Sequence, residues 1–200
     1  MRRSGIHSIG KWAGWRSAVS GGVIAALLVA MFVAAQAAPP PLGGVAPDFE
    51  LADVDGGTTK LSSVTEMGPT VLVVLRGFPG YQCPLCSVQV NDFLKSADAF
   101  KKAGARVIFV YPGAGNKLAA QAKEFRGKRE IPDHFTLLID PDYKFTNQYG
   151  LRWNAPNETA YPATFVLDGD RKIVFSKVSD GHGGRTTAKS IVEQLSKMAK

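Results

Sequence analysis

Val71-Leu-Val-Val-Leu75 has no polar position. A strand on a half-wet sheet alternates apolar with polar side chains, so an unbroken aliphatic run calls for a strand covered on both faces. Runs of the same kind recur at Arg106-Val-Ile-Phe-Val-Tyr111, Phe135-Thr-Leu-Leu-Ile139 and Thr164-Phe-Val-Leu167. Between the first two, Cys86, Val90, Phe93, Leu94, Ala97 and Phe100 fall at helical spacing. Between the second and third, Leu118, Ala122 and Phe125 do the same, with Asn116 as the expected N-cap. Asp168-Gly-Asp-Arg171 turns the chain into Lys172-Ile-Val-Phe-Ser176, and Ile191, Val192, Leu195 and Met198 mark a last helix opening at Thr186 or Thr187. Asp48–Leu51 and Thr58–Leu61 add a small hairpin around Asp55-Gly56. This order predicts an α/β domain, a sheet with helices on both faces.

The first 37 residues have a different character. Arg2, Arg3, Lys11 and Arg16 precede an uncharged stretch, residues 19–35, which leads into the small-x-small triplet Ala35-Gln36-Ala37. A basic opening, an apolar middle and a small-residue cleavage site are the pattern of a secretory signal peptide. Cleavage is expected after Ala37; left uncut, residues 19–35 would be an N-terminal membrane anchor. Residues 38–46 read as a linker, stiff at Pro39–Pro41 and loose at Gly43-Gly44, and residues 47–200 as the domain. The leader also accounts for much of the net charge. Four of the 24 basic residues lie in it and none of the 17 acidic ones, leaving +3 of the formal +7 for the rest, which is no nucleic-acid footprint.

The chain holds two cysteines, Cys83 and Cys86, in Gly77-Phe-Pro-Gly-Tyr-Gln-Cys-Pro-Leu-Cys-Ser87, just after a buried strand and at the start of a helix. Unpaired N–H groups and the partial positive charge of a helix N-terminus stabilise a thiolate over a thiol. Pro84 suits the first helical turn, where its missing N–H costs nothing. A three-residue offset puts both sulfurs on one face of that turn, close enough to join. Cys83, expected at an exposed helix tip, would attack, and Cys86, one turn deeper, would close the ring and release the partner. Competing readings are weaker. A zinc site lacks a second pair, and His7, His134 and His182 show no ligand spacing. A structural disulfide over so short a loop constrains little of the unfolded chain.

Tyr161-Pro162 stands directly before the strand at Thr164. The trans preference at X–Pro is only about 0.5–1 kcal/mol, and a cis bond here is expected to leave the backbone of Ala160 and Tyr161 open beside the cysteines for a substrate strand.

Four features carry a resemblance: Ala46-Pro47-Asp48-Phe49, Arg76-Gly77, Cys83-Pro-Leu-Cys86, and Tyr161-Pro-Ala-Thr-Phe-Val-Leu-Asp168. In them the chain resembles the thioredoxin-like superfamily, within it the redoxin branch of alkyl hydroperoxide reductase/thiol-specific antioxidant and peroxiredoxin-like proteins. The resemblance implies a thioredoxin fold, a central mixed sheet flanked by helices, with an insertion around 130–150 and chemistry at Cys83 and Cys86. Peroxiredoxins carry Pro-x-x-x-Thr-x-x-Cys with the peroxidatic cysteine last. Pro79 to Cys86 matches that spacing, but Cys83 stands where the threonine would be. By this resemblance Cys86 would be attacked to a sulfenic acid and Cys83 would resolve it. Arg76 and Arg185 are the candidate cations beside the thiolate. Copper-carrying redoxins of the cytochrome-oxidase assembly type use Cys-x-x-x-Cys and a histidine before the post-proline strand; here the spacing is one residue short and Asn157-Glu-Thr-Ala160 offers no imidazole.

The expected function is an exported thiol–disulfide oxidoreductase, periplasmic or otherwise outside the cytoplasm, cycling Cys83 and Cys86 without an organic cofactor. Protein disulfides or small thiols would be its substrates, and a reducing partner such as a membrane thiol donor would recharge it. A thiol peroxidase acting on hydroperoxides is the alternative, and metal delivery ranks last.

Overall fold

The structure, a computed structural model, describes residues 37–198. Residues 1–36, which hold nearly all of the expected leader, lie outside the described residues. The elements run β1 (Glu50–Asp53), β2 (Thr58–Lys60), α1 (Leu61–Thr65), β3 (Thr70–Val74), α2 (Pro84–Lys95), α3 (Ala97–Lys102), β4 (Arg106–Gly113), α4 (Leu118–Arg126), β5 (Phe135–Pro141), α5 (Lys144–Gln148), β6 (Ala163–Leu167), β7 (Ile173–Val178) and α6 (Ala188–Met198). The strands form one sheet in the order β2-β1-β5-β4-β3-β6-β7. β3, β4 and β5 are parallel to one another; β6 and β7 on one side, and β1 and β2 on the other, run antiparallel to their neighbours.

Every residue of β3 is buried, and the period-2 alternation of a strand divides them between two cores. Val71 and Val73 face a core built with Val90 and Phe93 of α2, Phe100 of α3, Phe125 of α4 and Ile191 and Leu195 of α6. Leu72 and Val74 face the opposite core, with Leu61, Phe145, Tyr149 and Phe165. At about 1.5–3 kcal/mol for each large aliphatic side chain removed from water, this double coverage makes β3 costly to displace. The mixed sheet and its flanking helices are the expected thioredoxin-like arrangement. The expected hairpin at Asp55-Gly56 is β1–β2, added to the sheet through β5. Residues 130–150 supply β5, inside the sheet, and then α5.

Three local expectations differ. The helix expected to run through Phe100 divides at Ser96 (φ −102°, ψ 12°), so Phe93 and Phe100 stack across the break at 5.3 Å. Asn116 does not cap α4: the helix opens one residue later, after Lys117, with no side-chain cap. The linker 38–46 is not loose at its glycines. The Gly43 N–H donates to the Ile173 carbonyl (2.8 Å), the Ile173 N–H to Gly44 (2.9 Å) and the Ala46 N–H to Arg171 (2.9 Å). The C-terminal helix opens as expected, with Thr187 Oγ1 accepting from the Ser190 N–H (3.2 Å) and Asp92 of α2 accepting from the Ala188 N–H (2.7 Å).

Beyond Val74 the chain stays against β4. The Leu75 N–H donates to Val110 and the Phe78 N–H to Pro112. Gly77 between them has φ +73°, and a Cβ there would overlap the Pro112 carbonyl. Gly77→Ala combines a disfavoured backbone with a steric overlap, so it should destabilise the fold by about 3 kcal/mol or more in urea unfolding. An unchanged midpoint would show that the loop before the cysteines does not depend on this close approach.

Candidate active site

Cys83 is the N-cap of α2 and Pro84 its first residue, so the two cysteines occupy the cap and the third helical position. The Cys83 sulfur accepts the Cys86 backbone N–H at 3.2 Å, the bond a serine or aspartate makes in the same place. Both are free thiols. They are far less open than a helix tip suggests. Cys83 is 3% exposed and Cys86 0%, packed in one core cluster with Leu75, Val90 and Tyr111. The loop between β7 and α6, about a hundred residues further on, brings Arg185 against them.

Arg185 Nη2 lies 3.8 Å from Cys83 Sγ and 3.6 Å from Cys86 Sγ. Its Nη1 donates to Gln89 Oε1 (3.0 Å) and its Nε to the His182 carbonyl (3.0 Å), which aim the guanidinium. Two donors and a cation then separate the sulfurs electrostatically. The Cys83 thiol is pulled down to about 6, chiefly because Cys86 donates to it; burial opposes this, and the Cys86 N–H and the charges of Arg185 and Arg76 reinforce it. Cys86 is pushed up by burial, by giving its proton to the bond with Cys83, and by lying beside that thiolate. Of the two sulfurs, Cys83 is thus the one whose thiolate the surroundings favour.

Arg76 does not touch the sulfurs. Its Nε donates to Glu158 Oε2 (2.6 Å), Nη1 to the Tyr81 hydroxyl (2.7 Å) and Nη2 to the Asn157 carbonyl (2.7 Å). Pro84 is exposed and Pro79 half-buried. Among the described residues there is no cis peptide bond, so Tyr161–Pro162 is trans. Nor is the backbone before it open: Ala160 is fully buried and bridges to Arg152, and the Tyr161 N–H donates to Leu151 (2.9 Å). The neighbouring chain already fills the edge expected for a substrate strand. The Pro162 carbonyl accepts from the Ser179 N–H, and Tyr161 stacks on Trp153 at 4.7 Å, with the His182 ring 5.1 Å from that tryptophan. Tyr149 is a core residue whose hydroxyl donates to Pro47.

Several site residues had no role assigned from sequence. Gln89 lies one turn after Cys86 on the same helical face, a spacing that marks it as a neighbour. Tyr111 of β4 donates its hydroxyl to Gln82 Oε1 (2.8 Å), and Gln82 Nε2 donates to the Gln121 carbonyl (3.0 Å), fixing the residue before Cys83. Glu158 accepts from both Arg76 and His182 across separations that carry no local signal.

Two predictions follow from the charges. Replacing Arg185 by Gln removes a cation from both sulfurs, so the Cys83 thiolate should titrate at higher pH in its 240 nm absorbance; an unmoved midpoint contradicts the contact. In Glu158, burial works to raise the carboxyl, but the bonds from Arg76 and His182 prevail and hold it below its ordinary 4.5. A depressed carboxyl contributes stability that is present above its unfolded value and is lost as pH falls through the folded one. Urea unfolding of Glu158→Gln should therefore lose stability at pH 7 and show a flatter decline below about pH 4.5 than the parent. Parallel declines would mean that Glu158 carries none of the acid sensitivity.

Residues 42–176 match the AhpC/TSA family model. Chloroplastic peroxiredoxin Q of Oryza sativa subsp. japonica is 36% identical over 126 residues, 63% of this chain and 54% of that protein. Peroxiredoxin Bcp of Escherichia coli K12 is 30% identical over 141 residues, 68% of this chain and 83% of that one. The chain thus spans about half the length of the chloroplast relatives it matches. Among solved structures, peroxidoxin BcpB of Mycobacterium tuberculosis superposes with TM-score 0.63 at 24% identity, covering 80% of this chain and 98% of the other. A putative thiol:disulfide interchange protein DsbE from Chlorobium tepidum gives 0.58, with the same identity and coverages. The two structures share the fold. The family match takes in β1 through most of β7, including the cysteine-bearing turn, and the chain belongs to the AhpC/TSA family.

Proposed function

We propose that the protein is a thiol-dependent peroxidase that turns over through a Cys83–Cys86 disulfide. The observation that carries this reading is a Cys83 sulfur bonded by a backbone N–H and faced by a guanidinium, yet almost closed to solvent. A sulfur in that state suits a small polar oxidant better than the disulfide of a folded protein. The relatives named peroxiredoxin point the same way, so hydroperoxide reduction is placed ahead of general disulfide exchange.

The Cys83 thiolate attacks the outer oxygen of the hydroperoxide. The O–O bond breaks, the remaining alkoxide or hydroxide takes a proton and leaves as alcohol or water, and Cys83 becomes a sulfenic acid. Arg185 stabilises the charge passing from sulfur to the departing oxygen. Cys86 then gives up its proton and attacks the sulfenic sulfur, water leaves, and the disulfide forms. An external thiol restores both cysteines and is itself oxidised, so the exchange chemistry expected from the C-x-x-C becomes the recharging half of the cycle. Charge and hydrogen bonding support Cys83 as the attacking sulfur, the reverse of the order that the Pro79-to-Cys86 spacing implies. With a leader in residues 1–37 the cycle would run outside the cytoplasm, supplied by a membrane-borne thiol donor.

Stopped-flow consumption of hydrogen peroxide tests this. Cys86→Ser should consume one equivalent and stop, whereas Cys83→Ser should lose the fast phase by at least about 100-fold. The reverse pattern would assign the attack to Cys86. No peroxide consumption by the parent, with exchange against glutathione disulfide intact, would sink the peroxidase reading. The parent's rate constant should also rise with pH to a plateau just above the Cys83 value of about 6.

A further inference from the structure

The guanidinium that reaches both sulfurs comes from a loop with little packing of its own. Gly181 and Gly183 have open space where a side chain would be, and Gly184 sits at φ +69°. The ends are fastened. The Ser179 N–H donates to Pro162, and Thr186 is held by Gln89 and by the Thr164 hydroxyl (2.7 Å). Between these ends, among the described residues, the loop's hydrogen bonds to the rest of the protein come from the Arg185 guanidinium and the His182 ring.

His182 is therefore used twice. Its carbonyl accepts Arg185 Nε at 3.0 Å, while its ring Nε2 lies 2.8 Å from Glu158 Oε1. An ionised carboxylate only accepts, so Nε2 carries the hydrogen. Glu158, its side chain 11% exposed, is in turn fixed through its other oxygen by Arg76, 4% exposed and itself bonded to Tyr81 and Asn157. The exposed end of this chain is His182, at 47%. A rigid buried ion pair thus reaches out to one point on a glycine-rich loop, and that point holds the arginine.

We infer that Glu158 and His182 are positioning residues: the Arg76-anchored carboxylate grips the His182 ring so that the His182 carbonyl sets Arg185 against Cys83 and Cys86. The interaction does not depend on His182 being charged, because the neutral ring already donates. It rests on the reading of Cys83 as the reactive thiolate, and its consequence is for that thiolate and not for peroxide as such. Without the grip, the loop samples conformations in which Arg185 stands away from the sulfurs.

The test reads the thiolate directly and so does not require peroxidase turnover. In the full chain, the 240 nm titration and the iodoacetamide alkylation rate at pH 6 are compared for the parent, His182→Ala, His182→Gln, Arg185→Gln and the His182→Ala/Arg185→Gln pair. His182→Ala should raise the Cys83 midpoint by roughly one pH unit and slow alkylation several-fold in a protein whose circular dichroism shows the fold retained. His182→Gln, which restores a donor near the Nε2 position, should recover most of the loss. In the Arg185→Gln background, His182→Ala should have no further effect, because both act through one contact. Equal increments in the two backgrounds, or a midpoint unmoved by His182→Ala, would overturn the inference while leaving the peroxide assay to decide the function separately.

Discussion

The structure depends on β3 lying wholly between two cores. With no face left for water, the strand can only be central, and its parallel pairing with β4 carries the following loop alongside Val110 and Pro112. That pairing forces the left-handed turn at Gly77 and delivers the chain to the start of α2 with Cys83 as its cap. The two sulfurs are thus placed by a wholly buried strand, and not by the loop that bears them. α2 is then fixed by Phe93 and Val90 beneath it and by Asp92, which reaches across to hold the first N–H of α6.

Against this rigid half stands a softer one. Arg185 arrives on a glycine-rich segment and completes the electrostatics only after the chain has passed through β6 and β7. The buried Arg76–Glu158 pair belongs to the rigid half. Removing one partner would leave the other charge uncompensated, which is the costly way to break such a pair. Burial that would be expensive for either group alone is tolerated because each of the two remaining nitrogens of Arg76 has an acceptor.

Much of this was legible in the sequence, for definite reasons. Dominantly apolar runs located β3, β4, β5 and β6 to within two residues, because a strand covered on both faces leaves few polar positions to blur it. Cys83-Pro-Leu-Cys86 located the chemistry, because proline at a first turn and thiols three apart have meaning on a helix of any fold. The break at Ser96 was hidden, since apolar spacing continues through it and only the backbone angles change. At Tyr161–Pro162 the isomer preference is within reach of packing forces, so the local residues could not decide it. The burial of the cysteines depends on side chains of several elements, and the reach of Arg185 on a loop a hundred residues away. Glu158 joins Arg76 across 82 positions, and nothing near either residue announces the other.

The placement of the two cysteines within one helical turn has a kinetic meaning. A sulfenic acid formed at Cys83 would have its partner sulfur already at hand on the same turn, so ring closure is an internal event whose speed ignores how much oxidant is present. Irreversible sulfinic damage needs a second molecule from solution, and it must compete with a neighbour whose effective concentration far exceeds that of any dissolved peroxide.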